Sequence, residues 1–419
     1  MRLLPRMGKG RLRRLAAALA IIGPGVITAN VDNDAGGIAT YSLAGGNYGY
    51  SHLWALLPIA LLLFIIQEMS ARLGAVTGKG LADLIRERFG LKLTFWLLLG
   101  LLFTNLGNTL GEFAGIASAA EVLHMPRYLA VPVAAVIVWL IVTRANYATV
   151  EKVFLVACLF YVAYPISGLL THPDWGEVTT ALVRPRWSTE PGYVTMLIGI
   201  VGTTIAPWMQ FYQQAAVVDK GITVKDYRMT RIDVLVGCAV AVVVVFFILV
   251  ACAATIHASG QHVSDAEGAA EALRPLAGEY CAWLFAFGLL NASLFAACIL
   301  PLATAYQICE GMGWERGVDR RFGEAPEFYS VYTLMVLIGA GLVMVPHAPL
   351  FGIMYYSQVI NGIVLPIVLV LMLALINSKP IMGEHANRRV GNVLSWACVA
   401  AVSGLVMYLA VATMLGSGA

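Results

Sequence analysis

Eleven apolar stretches run along the 419-residue chain, at about 15–46, 52–77, 93–121, 127–143, 150–171, 192–217, 233–257, 281–309, 329–346, 352–376 and 391–415. About 20 residues of helix cross roughly 30 Å of hydrocarbon, and each stretch is long enough to do so. The runs are continuous and rich in Leu, Ala and Val, unlike the short alternating segments of a membrane β-barrel. A segment in lipid must satisfy its own backbone polar groups, so the pattern predicts an all-α membrane protein with eleven transmembrane helices. It divides into a basic tail at 1–14 and a single transmembrane domain at 15–419.

Two stretches break the pattern. The first contains Asn30-Val31-Asp32-Asn33-Asp34-Ala35-Gly36-Gly37, and the sixth contains Gly202-Thr203-Thr204-Ile205-Ala206-Pro207-Trp208. Gly and Pro weaken or break helices. A break at membrane depth frees carbonyls and amides, which must be buried in protein or line a wet cavity. The two breaks lie five spans apart. An odd number of spans per repeat inverts the second repeat, so repeat one covers about 15–171 and repeat two about 192–376, with an extra helix at about 391–415. Interrupted helices in matching positions of two inverted halves point to a transporter's substrate site.

Composition narrows the class. Hydrophobic residues make up 59% of the chain, charged residues only 12%, and the mean hydropathy is +0.79. Soluble domains carry about 25% charged residues. A soluble enzyme, a disordered chain and a nucleic-acid binder are excluded; the partner expected is the lipid bilayer, with the protein a monomer. The net charge of +3 names no anionic partner. Position says more: Arg72 lies inside the second stretch, and of the other 26 Lys and Arg, 22 sit in the tail or in connections on its side. Only Arg127, Arg184, Arg186 and Arg274 sit on the opposite side. The positive-inside rule then predicts a multi-pass protein of the cell inner (plasma) membrane, N-terminus cytoplasmic and C-terminus outside. Asn30, Asp32, Asn33 and Asp34 interrupt the region where a signal peptide would be cleaved, so the first stretch reads as a span. The seven Cys form no CxxC and read as small hydrophobes. The seven His sit near span ends or in loops and read as interfacial or solvated side chains.

An ionisable group at the bilayer centre costs roughly 2.5–3.5 kcal/mol on insertion scales and is seldom there without a task. Asp34 stands at the first break beside the glycines, and Asp32 and Asn33 just before it. Glu112 lies in the third stretch, Gln358 and Asn361 in the tenth. One carboxylate, an amide and freed carbonyls make a hard-oxygen cation site. Glu68 and Arg72, four residues apart, read as a structural pair.

Several motifs resemble the NRAMP divalent-metal transporters. Gly23-Pro24-Gly25, Asp34-Ala35-Gly36-Gly37-Ile38-Ala39-Thr40 and Ala44-Gly45-Gly46 are similar to the family's first span. Ala71-Arg72-Leu73-Gly74-Ala75-Val76-Thr77-Gly78-Lys79-Gly80-Leu81-Ala82 resembles the end of its second span and the loop after it. The resemblance implies a LeuT-like 5+5 inverted repeat, helices 1 and 6 unwound at the midplane, and alternating access; an enzyme is not expected, nor a cofactor.

The departures matter as much. The family's Asp-Pro-Gly-Asn reads Asp34-Ala35-Gly36-Gly37 here, its Met-Pro-His reads Ala206-Pro207-Trp208, and its Asp-x-x-Glu reads Thr109-Leu110-Gly111-Glu112. The ninth stretch carries no charge, where the family's proton-coupled members often carry Arg. The resemblance places Gln358 on a family Gln that can approach the ion. The expected metal site is Asp34, Gln358, Thr203, Ala206 and Gly37, with Thr203 and Ala206 offering carbonyls and Gly37 leaving room. Trp208, Glu112, Asp32, Asn33 and Asn361 are expected around it, as cavity wall or outer shell.

Losing a thioether removes the preference for soft transition metals. Magnesium is hard, dehydrates reluctantly and uses one or two carboxylates plus retained waters. The pattern resembles the family's magnesium-transporting branch, with Mn²⁺ accepted by the same oxygens. Voltage supplies about 2.3 kcal/mol per charge per 100 mV, so roughly 4.6 kcal/mol for two charges, enough for accumulation on the order of a thousandfold. Uncoupled uptake of a partly hydrated ion is the expectation. The alternatives are a proton-coupled manganese or iron transporter, an organic-substrate symporter, and, from another class, a receptor or scaffold on a transporter-like core.

Overall fold

A computed structural model describes residues 24–144, 162–274, 278–318 and 320–416, and they are helical with no strand among them. The expected basic tail at 1–14 and most of the expected fifth span lie outside the described residues. The first stretch is two helices, α1 (Pro24–Val31) and α2 (Ala35–Tyr48), separated at Asp32, Asn33 and Asp34. A 3-10 turn at Gly49–Ala55 leads into α3 (Leu56–Thr77), and a short helix α4 (Leu81–Phe89) precedes α5 (Leu91–Val122) and α6 (Arg127–Arg144). Then come α7 (Ala163–Leu170) and α8 (Trp175–Val183). The sixth stretch is again two helices, α9 (Pro191–Thr204) and α10 (Pro207–Asp219), and the long helices after it are α11 (Tyr227–Thr255), α12 (Cys281–Met312), α13 (Pro326–Val343), α14 (Leu350–Ile376) and α15 (Arg389–Gly416).

Both breaks fall where the sequence places them, and each has a local cause. Asp34 is extended (φ −72°, ψ −173°) and caps α2, its Oδ1 accepting from the Gly37 N–H at 2.6 Å. Pro207 has no N–H and a fixed φ, so it opens α10 rather than continuing α9. Among the described residues nine segments are long and apolar enough to span a membrane. One of them, Ala35–Thr77, runs through the 3-10 turn from α2 into α3.

Packing sorts the helices into two groups. α5 and α12 lie along each other, with α13 and α14 against α5. α11 packs on α1, α2 and α3, and α10 packs on α3. The broken helices therefore face α5, α12 and α14 across the middle of the bundle. Small residues set how close they come. A Cβ on Gly202 would fall 2.1 Å from Gln358 O and 2.3 Å from Gly362 N, so α9 and α14 touch backbone to backbone.

Glu68 and Arg72 pair at 3.3 Å, as their spacing predicts. One expectation needs correction. His52 is fully buried, stacked on Tyr193 at 4.2 Å with Nε2 3.2 Å from the Tyr193 carbonyl, and is not a solvated span-end residue. The 3-10 turn carries it inward against α9, which a count of residues from the span end does not reveal.

Candidate metal site

The cap at Asp34 organises the centre. Its carboxylate turns back onto the first turn of α2, where helix N–H groups stabilise negative charge. Gly37, the third residue of that turn, has no side chain in a crowded place: a Cβ there would lie 2.5 Å from the Asp32 carbonyl, 3.2 Å from Thr203 Oγ1 and 3.3 Å from the Tyr41 ring. The first break thus meets the end of α9 over Gly37. The Tyr41 hydroxyl and Thr204 Oγ1 lie 2.9 Å apart and join α2 to α9 beside this point.

Carboxylates crowd the same region. Glu112 of α5 accepts from the Ala35 N–H through Oε2 at 3.3 Å, and its side chain also meets that of Asp34. Asp32 and Asp34 are within electrostatic range of each other, as are Asp32 and Cys238 of α11. All three acids are at most 3% exposed. Asp32 Oδ2, both amide atoms of Asn33, Glu112 Oε1 and Thr203 Oγ1 are buried with no hydrogen-bond partner in the protein. Buried polar groups are normally paired, so this concentration of unmatched oxygens fits a cation and its waters. Among the described residues no three His, Cys, Asp or Glu are grouped so as to hold a metal directly.

The other expected residues divide. The Gln358 side chain lies over Gly36, with Nε2 1.9 Å from where a Cβ would stand. Its Oε1 accepts from Asn361 Nδ2 at 2.8 Å. Asn361 therefore backs Gln358 from the side away from the break. The Ala206 carbonyl is engaged within its own helix: it accepts from the Met209 N–H at 3.1 Å, and in the orientation that satisfies the Gln210 amide its nitrogen donates to the same carbonyl at 2.8 Å. Trp208 is buried with its ring 6.3 Å from that of Tyr212 on the same helix.

Beyond the site, at the end of the bundle carrying the basic connections, α4 is strapped onto α12. Glu310 Oε1 lies 3.4 Å from Arg316 Nε and its Oε2 accepts from the Ala82 N–H at 3.4 Å, while Arg316 reaches Asp83 at 2.7 Å. Gly80 makes room, since a Cβ there would sit about 2 Å from the Glu310 carboxylate. Burial works against the Arg316 charge, but the Glu310 and Asp83 carboxylates hold its pKa above the usual guanidinium value. The Tyr306 hydroxyl of α12 donates to Asp219 at the end of α10. Sequence reading assigned no role to Glu310, Arg316 or Asp83; charged residues flanking spans look like ordinary solvated ends until the fold brings them together.

Comparison with known proteins decides the family. The model of the natural resistance-associated macrophage protein-like (Nramp) family matches residues 25–412.

The chain belongs to the Nramp family.

A divalent metal cation transporter, MntH, of Ralstonia nicotianae is 30% identical over 416 residues, covering 93% of this chain and 90% of that protein. MntH of Deinococcus radiodurans is 27% identical, covering 95% and 91%. The structure resembles that of the Eremococcus coleocola manganese transporter bound to an aromatic bis-isothiourea compound, with a TM-score of 0.77 at 24% identity, covering 96% of this chain and 87% of that one. As an Nramp protein, this chain is a multi-pass membrane transporter of divalent metal ions with a LeuT-like fold, and it is not an enzyme. The Nramp breaks in helices 1 and 6 correspond here to α1/α2 and α9/α10.

Proposed function

We propose that this transporter takes up Mg²⁺, and Mn²⁺ by the same route, as a partly hydrated ion and without proton coupling. One observation carries the reading. The oxygens gathered around Gly37 come from Asp34, Asp32 and Thr203, with Glu112 beside Asp34, while no three potential ligand side chains close on a point among the described residues. That is a site for an ion that keeps waters, and Mg²⁺ gives them up most reluctantly. Asp34 is the direct ligand. Thr203 and the freed backbone beside Gly37 complete the near side. Asp32, Asn33 and Glu112 accept from or donate to the ion's waters. Trp208 walls the cavity and Asn361 supports Gln358. Ala206 supplies bulk in place of a thioether; its carbonyl joins the ion only after Gln210 lets go. The basic end is cytoplasmic, the membrane is the cell's inner (plasma) membrane, and the protein works as a monomer by alternating access.

A second reading, proton-coupled manganese uptake, draws on the contact between Glu112 and Asp34, which places two carboxylates side by side as a relay would require. Proteoliposomes loaded with a pH dye separate the two. Voltage-driven Mg²⁺ and Mn²⁺ uptake with constant internal pH supports the uncoupled reading. Acidification in step with metal entry overturns it.

A further inference from the structure

α5 and α14 lie close over one part of their shared length and apart over another. Near the site, a Cβ on Gly111 would come 3.4 Å from Ser357 Oγ, and the Asn108 and Asn361 amides bond to each other at 2.9 and 3.0 Å. Toward the end with the basic connections the two helices part, and a Cβ on Gly100 would meet nothing within 4 Å. An apolar groove of about 1010 Å³ runs between them, walled by Trp96 and Gly100 of α5 and by Pro366 and Ile367 of α14, with Phe89 of α4 where α5 begins. Lys92 is the one charged residue that lines it. Trp96 is 63% exposed and Ile367 56%. In a multi-pass membrane protein such side chains face lipid, so the groove opens sideways into the bilayer. From Lys92 to Leu101 the helix rises about 14 Å at 1.5 Å per residue, close to one leaflet's share of roughly 30 Å of hydrocarbon.

The charge at its mouth is unmatched. Lys79 and Arg86, in the connection before α5, pair with Glu87 and Asp83. Lys92 and Arg88 have no carboxylate partner among the described residues. Lys92 also stands in the first turn of α5, at the positive end of the helix, where a lone cation is disfavoured and a nearby anion relieves it. A lysine stem lies along apolar surface while its ammonium group reaches the polar interface. We propose that the groove binds an anionic phospholipid from the leaflet on the basic side, with an acyl chain between α5 and α14 and the phosphate at Lys92, flanked by Arg88. Basic residues near a membrane surface attract anionic lipid in any case; the groove adds a fixed place for the chain. The inference is independent of which metal the protein carries.

Trp96 reports the occupant. The full-length chain is reconstituted in phosphatidylcholine vesicles containing a small fraction of phosphatidylglycerol or of phosphatidylcholine brominated on its acyl chains, since bromine quenches a tryptophan that it touches. The Trp96 signal is the difference between wild type and Trp96→Phe. Brominated phosphatidylglycerol is expected to quench it about twofold more strongly than brominated phosphatidylcholine at the same mole fraction. Lys92→Gln should bring the two lipids together. Gly100→Leu puts a side chain into the open space and should lessen quenching by both; Gly100→Ala serves if that variant fails to fold. Glycerol 3-phosphate, a headgroup without chains, should leave the quenching unchanged. Equal quenching by the two lipids in wild type, a preference undiminished in Lys92→Gln, or quenching undiminished by filling the groove overturns the site. Relief by glycerol 3-phosphate overturns the lipid as its ligand, and a Trp96 signal that neither lipid quenches shows the groove covered by protein and overturns it too.

Discussion

Glu112 of α5 and Ala35 at the start of α2 meet at 3.3 Å, carboxylate oxygen to backbone N–H. The bond crosses between the two groups of helices and gives Glu112 a structural task that needs no proton transfer. Glu112→Gln keeps an acceptor at that place. Metal uptake by Glu112→Gln should remain within about threefold of wild type, whereas Glu112→Leu strands the Ala35 N–H and should cost about 1–3 kcal/mol of stability. Uptake assays and thermal melting in detergent read the two effects. Loss of transport in Glu112→Gln with unchanged melting would favour the proton-coupled reading.

Asp34 does two things, capping α2 and facing the ion, and two substitutions pull them apart. Asp34→Asn preserves an oxygen for the Gly37 N–H but removes the charge. It should melt within a degree or two of wild type and yet fail to take up Mg²⁺. Asp34→Ala loses the cap as well, worth about 1 kcal/mol, and should melt lower. Mg²⁺ uptake undiminished in Asp34→Asn would remove this residue from the site.

Softness should be adjustable at the second break. Ala206→Met places a thioether where α10 begins. Competition assays should show Cd²⁺ and Mn²⁺ gaining at least fivefold on Mg²⁺, because sulfur favours the softer ions. Equal inhibition profiles before and after the change would show that this position does not face the ion.

The strap joins α4 to α12 at the end of the bundle that carries the basic connections. Arg316→Ala leaves Glu310 buried with its charge unmatched. Stranding one partner of a buried pair is costly, but Arg316 is 24% exposed and solvent screens it, so about 1–2 kcal/mol is expected. Cys309, beside Glu310 and fully buried, reports its loosening. Maleimide labelling of Cys309 should rise several-fold in Arg316→Ala.

Much of this was legible in the amino-acid sequence, and the reasons are physical. Long apolar runs and the demands of backbone in lipid announce the helices. Gly36, Gly37 and Pro207 announce the breaks because their effects are local. Asp34 stood out because a charge at that depth is expensive. Asn108 did not: a neutral amide in an apolar run costs little and has no sequence neighbour to explain it, and its partner Asn361 lies 253 positions away. The engagement of the Ala206 carbonyl was hidden too, since residue type says nothing about which way an amide turns. The Glu310–Arg316–Asp83 strap joins connections that are distant in sequence.

Where Gly202 meets Gly362, two main chains rest on each other with no side chains between them. Such a contact cannot be pressed closer, and beside it Val194 and Ile198 of α9 pack with Val359 of α14. α9 and α14 are keyed together there, so a shift of one must carry the other, and with it Gln358, four residues from Gly362. A methyl group added at Gly202 would run into the Gln358 carbonyl, and one at Gly362 into the Ile198 carbonyl, so either would force the two helices apart.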